Sequence, residues 1–148
     1  MYTLATDAEV RARLSWVWVF VLFNMVFADI FSFMSAGFLR QVIEARAGEV
    51  EVTPGFLLAA AIVTAIPVSM VVLCQSLPAR ANRWANVAVA IGKIAYVWVG
   101  GVLTLPHYVF FASLETVGCL YIAWFAWRVV LVGAAPVGAA PVGAASGR

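Results

Sequence analysis

Residues 14–34 read LSWVWVFVLFNMVFADIFSFM, and this run constrains the chain more than any other stretch. As a helix it covers roughly 30 Å, the thickness of a bilayer's hydrocarbon core. A helix that is apolar all round must lie in a large protein core or in lipid. The composition favours lipid: 65% of the 148 residues are hydrophobic and 11% are charged. A soluble domain carries about 25% charged residues. A signal peptide is a poor alternative, because its apolar region runs about 7–15 residues. The run here is longer and contains Asp29, so Arg11 and Arg13 read as the flank of a retained span.

Three further runs follow, at 54–77, 85–105 and 108–131. Thr53-Pro54 makes a good helix start, with Thr as N-cap and Pro where its missing N–H costs nothing. Pro67 lies inside the second run and should kink it. Between the first two runs, Phe38, Leu39, Val42 and Ile43 share one helical face, which predicts a short interfacial helix stopping at Gly48. Residues 49–52 read as an extended link. Residues 78–84 read as a tight basic turn, and Pro106 as a break that leaves His107 in a solvated turn. The expected fold class is all-α: a polytopic membrane four-helix bundle over 14–132. A polar lead-in at 1–13 precedes it. From 133 to 148 the motif GAAPV occurs twice, with no large apolar side chain to build a core, and predicts a disordered tail.

Alternating spans put the N-terminus, the 78–84 turn and the C-terminus on one side. Near the membrane that side holds Arg11, Arg13, Arg80, Arg83 and Arg128; the other holds Arg40 and Arg46. The excess predicts both termini in the cytoplasm. Trp16 and Trp18 are expected at headgroup level. The net charge of +2, with scattered basic residues, argues against a nucleic-acid partner. The lipid bilayer is the expected partner, with homo- or hetero-oligomers. Cys74 and Cys119 lie far apart inside apolar runs and read as small buried side chains, so no metal site and no cofactor is expected.

Asp29, Lys93 and Glu115 are ionisable groups inside apolar helices, a costly placement that usually marks an interior clamp or a functional site. Counted from the outer ends of their runs, Asp29 lies roughly 8 Å deep, Glu115 roughly 10 Å and Lys93 roughly 18 Å. Lys93 could reach up to the two acids through its stem. Two acids and one lysine leave a net negative site unless one acid holds a proton. Ser32 and Tyr108 should flank this cluster, and Asn24 should donate a hydrogen bond between helices. No glycine-flanked nucleophile and no phosphate loop is present, so catalytic residues are none and an enzyme is not expected.

LSWVWVFVLFNMVFADIFSFM, TPGFLL, ANRWAN and LPHYVFFASLETV, in this order, resemble a family of small bacterial four-helix integral membrane proteins of unknown function. The resemblance implies a bacterial inner membrane and four spans, and no activity. Small multidrug exporters are similar in size and span count. They carry a glutamate in the first helix where this chain has Asp29, no surrounding motif matches, and the charge bias here fixes one orientation. The expected role is structural or accessory. The alternative is a small proton-linked transporter using Asp29, Lys93 and Glu115.

Overall fold

The computed structural model describes residues 7–101 and 103–133. The lead-in before Asp7 and the repeat tail from 134 onward lie outside them. α1 (Asp7–Phe33) contains neither Gly nor Pro, and Asp7 and Glu9 complement the positive end of its dipole. α2 (Ala36–Ile43) follows at once and buries no residue. Phe38 holds it to the end of α1 through an edge contact with Phe33, centroids 5.5 Å apart.

The stop of α2 differs from the expected one. The helix ends at Ile43, and Ala45 takes the left-handed conformation (φ 52°). The freed chain turns back as a two-stranded antiparallel ladder, β1 (Arg46–Ala47) with β2 (Val50–Glu51), Arg46 opposite Glu51. Gly48 (φ 62°) occupies the first turn position of this hairpin, where a positive φ is required. The extended link thus pairs with the residues after the helix.

α3 (Pro54–Ser76) starts as its cap dictates: the Thr53 hydroxyl accepts from the Phe56 N–H at 3.2 Å. Pro78 holds Leu77 extended and ends it. The expected basic turn shrinks to Leu77-Pro78, because Pro78 serves as N-cap and the Asn82 N–H bonds its carbonyl at 2.9 Å. α4 (Ala79–Gly100) therefore takes in Arg80 and Arg83 and stops at the Gly100-Gly101 pair, short of residue 105. α5 (Pro106–Gly133) begins with the proline that was expected to be a break. Proline is favoured in the first turn, so His107 is a helix residue.

The four long helices form a ring. α1 packs against α3 and α5, and α4 packs against the same two. Leu14, Trp18, Val21, Met70, Cys74, Ala90, Cys119 and Ile122 fill the half of the ring where α1 and α4 start and α3 and α5 end. Trp18 belongs to this core, fully buried, and not to a headgroup girdle. Trp16 is 72% exposed. The opposite half is looser. The buried residues of α3 are Pro67, Met70 and Cys74, and nothing in 54–66 is buried.

The outward faces carry Phe23, Leu58, Ile62, Val72, Ile91, Val99, Phe110 and Val117, all well exposed. Soluble monomers seldom expose apolar area on this scale. α1, α3 and α5 are long and apolar enough to cross a membrane. α4, with 22 residues, is not in that group: Arg, Asn and Lys side chains interrupt its apolar run.

α1 and α5 meet closely at Gly118, where an added Cβ would lie 2.6 Å from Val21 Cγ2. Val21 is fully buried and β-branched, so it cannot swing aside. Gly118→Ala should destabilise the fold by about 1–3 kcal/mol, read as a lower midpoint of thermal unfolding in detergent. An unchanged midpoint would show that the two helices separate freely.

Candidate functional site

Lys93 on α4 and Glu115 on α5 form a direct ion pair, Nζ to Oε2 2.6 Å, each side chain 4% exposed. The early stop of α4 makes this possible. Lys93 lies roughly 10 Å from Gly100 along the helix, and Glu115 roughly 13 Å from Pro106, so the two are nearly level. The lysine has no need to reach upward. Its ammonium also sits 5.8 Å from the centre of the Tyr96 ring.

Asp29 does not join them. It is exposed, and among the described residues it makes no hydrogen bond or ion pair, although it stands within electrostatic range of Lys93 and Glu115. The ring order is the reason: α1 and α4 occupy opposite corners and share no close backbone approach. The expected three-member cluster is a pair with a detached carboxylate.

The other expected members take different parts. Asn24 donates to the Phe20 carbonyl of its own helix at 2.8 Å, so it is not an interhelical bond. Ser32 donates to the Ala28 carbonyl at 2.7 Å, and its oxygen lies 3.3 Å from His107 Nε2. Which of the two groups donates across this contact is set by the histidine tautomer. The contact ties the end of α1 to the start of α5, with Phe31 and His107 rings 6.2 Å apart. Tyr108 reaches the Val97 carbonyl at 3.4 Å, which closes α5 onto α4.

Pro67 is buried and borders a cavity of about 310 Å³ between α1, α3 and α4. Met25, Val63, Ala88, Gly92, Lys93 and Tyr96 line it with the proline. Proline has no N–H to give the Val63 carbonyl one turn back.

A second polar network lies in the closed half, and the sequence reading missed it. The Trp18 indole donates to Asn86 Oδ1 at 2.7 Å, and the Cys74 thiol donates to the same oxygen at 3.3 Å. Asn86 Nδ2 donates to the Asn82 side-chain oxygen at 2.7 Å, and Asn82 Nδ2 donates to the Cys74 carbonyl at 3.0 Å. Ser15 donates to the Val71 carbonyl at 2.6 Å. Arg11 caps the end of α3 through the carbonyls of Leu77 (2.6 Å) and Gln75 (3.2 Å). The signal was present in ANRWAN, where two asparagines four apart share one helical face.

Over residues 1–130 the chain matches the family model described as "Family of unknown function (DUF6326)". No curated protein and no solved structure matches it.

Removing one member of a desolvated pair strands the other. Lys93→Met should cost about 3–5 kcal/mol of stability. The double change Lys93→Met, Glu115→Gln should cost less than the single one, since no buried charge is left over. A double-mutant cycle of unfolding midpoints checks this, and additive effects would dissolve the pairing.

Proposed function

We propose that this chain, which belongs to the DUF6326 family of unknown function, is a bacterial inner-membrane protein of four spans, α1, α3, α4 and α5. Its role in this reading is structural or accessory and non-enzymatic, exercised in oligomers with itself or with a partner. One observation carries it. The half of the ring where α1 and α4 start is filled by Trp18, Val21, Met70 and Ile122, each at most 2% exposed, while large apolar side chains cover the outside. That packing leaves no water-lined passage there, and an apolar exterior suits lipid. In this setting Lys93 and Glu115 act as a clamp that fixes the register of α4 against α5. Lys93 then makes α4 tolerable as a span, because its charge faces a partner and not lipid.

Charge supports the orientation. Arg11, Arg13, Arg80, Arg83 and Arg128 lie at the end that holds the start of α1 and α4 and the end of α5. Arg83 stacks 4.8 Å from the Trp127 ring, and Arg128 stacks 5.2 Å from that of Trp124. Arg40 and Arg46 lie at the other end, on α2 and β1. The excess favours both termini in the cytoplasm, with α2 and the hairpin outside. Reporters fused after Arg128 should read cytoplasm, and reporters inserted at Gly48 should read outside. Native mass spectrometry from nanodiscs should find more than one chain, or a co-purifying partner. A strictly monomeric protein with measurable turnover would overturn the accessory role, and reversed reporters would overturn the orientation.

The detached Asp29 carboxylate favours a second reading, a small proton-linked carrier. A lone acid near a buried pair could take up and release a proton without breaking the clamp. In that case reconstituted vesicles show proton-coupled solute flux, and Asp29→Asn removes it while leaving the unfolding midpoint in place. An absence of flux over a broad solute panel rejects the carrier.

A further inference from the structure

Three arginines gather where α4 starts and α5 ends. Arg80 and Arg83 lie one turn apart on α4, with Trp84 beside them. Trp124, Trp127 and Arg128 share one face of α5 by the same spacing. The two faces meet. The Trp84 and Trp127 rings pack edge to face at 5.7 Å, and the Arg83 guanidinium lies 4.8 Å from the Trp127 centroid and 5.4 Å from that of Trp84. Among the described residues, none of the three arginine side chains makes an ion pair or a hydrogen bond. The Arg83 Nε is buried and has no acceptor among them.

Acids stand elsewhere. α3 and α4 contain no Asp or Glu. Glu115, the one acid of α5, is roughly 20 Å along the helix from Arg128, and Lys93 already holds it. Asp7 and Glu9 belong to α1, at the corner diagonal to α4, and Asp7 pairs with Arg11 at 3.7 Å. A partly buried guanidinium without a counter-charge is costly, so this corner favours an anion. The two indoles hold the Arg83 guanidinium in place, and its fork of N–H donors matches the oxygens of a phosphate.

What lies beside the arginines narrows the anion further. Val117, Leu120, Trp124 and Trp127 follow one another at helical spacing on α5, all exposed, and α4 exposes Trp84 and Ile91. From Trp127 to Val117 the strip runs roughly 15 Å, the depth of one leaflet's hydrocarbon. A soluble anion would use the arginines and leave the strip bare. An amphiphile uses both. Three unpaired positive charges also disfavour a headgroup that carries an ammonium of its own.

We propose that this corner binds one anionic phospholipid. Its phosphate accepts from Arg83, Arg80 and Arg128 complete the charge, and an acyl chain lies along the α5 strip. The site rests on the membrane reading and goes beyond the accessory role, which would stand without it.

The test titrates the full chain in dodecyl maltoside with dioleoyl phosphatidylglycerol and counts bound lipid by native mass spectrometry. Dioleoyl phosphatidylcholine has the same chains and no net charge. Glycerol 3-phosphate has the anion and no chains. One phosphatidylglycerol per chain should bind saturably, about tenfold or more tighter than phosphatidylcholine. Glycerol 3-phosphate in excess should not displace it. Arg83→Gln should bring the two lipids within about twofold of each other. Arg128 is exposed, so Arg128→Gln leaves the packing in place, and it should narrow the preference in the same direction. Arg40→Gln removes the same charge at the opposite end, on α2, and should leave the preference intact. Four results overturn the proposal: equal affinity for the two lipids, displacement by glycerol 3-phosphate, an undiminished preference in both Arg83→Gln and Arg128→Gln, or an equal loss in Arg40→Gln. The second would assign the corner to a free phosphate, and the last to overall charge. Detergent has no leaflets, so the topology reporters stand or fall separately.

Discussion

The hydrogen bond from the Trp18 indole to Asn86 Oδ1, 2.7 Å long, spans the middle of the ring. α1 and α4 do not touch as backbones, so side chains must bridge this diagonal. In lipid the helices gain little from hiding apolar surface, and association falls to packing and to polar links between them. Asn86 supplies several at once. It receives Trp18 from α1 and Cys74 from α3, and it leans on Asn82 within α4. Leaving any of these atoms alone in a dry interior costs about 1–3 kcal/mol, so the network specifies one arrangement of three helices. Arg11 extends it to the carbonyls at the end of α3, which has no turns beyond them to bond, and Ser15 reaches the Val71 carbonyl one turn earlier.

The two halves of the ring are held by different means. In the half just described, apolar packing and the asparagine network join α1, α3 and α4. In the other, the polar contacts are Lys93 with Glu115, Ser32 with His107, Tyr108 with Val97, and Trp98 with Thr116. All of them connect α1, α4 and α5. None involves α3, whose first half is left to run beside its neighbours with Pro67 at the change. The open cleft follows from this division.

The sequence announces the long apolar runs, the Thr53-Pro54 start, the interior proline and the buried charges, because each depends on local composition or spacing. It also suggests Lys93 and Glu115 as partners, but counting depth from the apolar runs set the lysine roughly 8 Å too deep, because α4 stops at Gly100 and not at residue 105. Ring order cannot be counted in this way. Asp29 has the right depth and the wrong corner, and Asn24 turns back to its own helix. Prolines misled at both ends of α4. Pro78 and Pro106 read as interruptions, yet each stands where a helix begins, so the α3–α4 connection is shorter than the runs suggest and the α4–α5 connection longer. Trp18 misled because a tryptophan near a span's end usually marks the headgroup region. Here Trp16 is 72% exposed, while Trp18, two residues on, points into the core. A tryptophan and two asparagines at matching depth would have been the clue to the network.

The first long helix packs against the last, with Val21 set against Gly118. The chain is made in the other sense, from α1 onward. While α3 and α4 emerge, the groove of α1 that receives α5 has no occupant, and nearly the whole chain must be synthesised before the ring can shut. α1 and α3 can join early through Arg11 and Ser15, and α4 can follow through Asn86. Lys93, however, must wait without Glu115 until α5 arrives. A truncated product lacking the last helix would therefore carry an unmatched lysine and an unoccupied groove. Both set it apart from the closed ring.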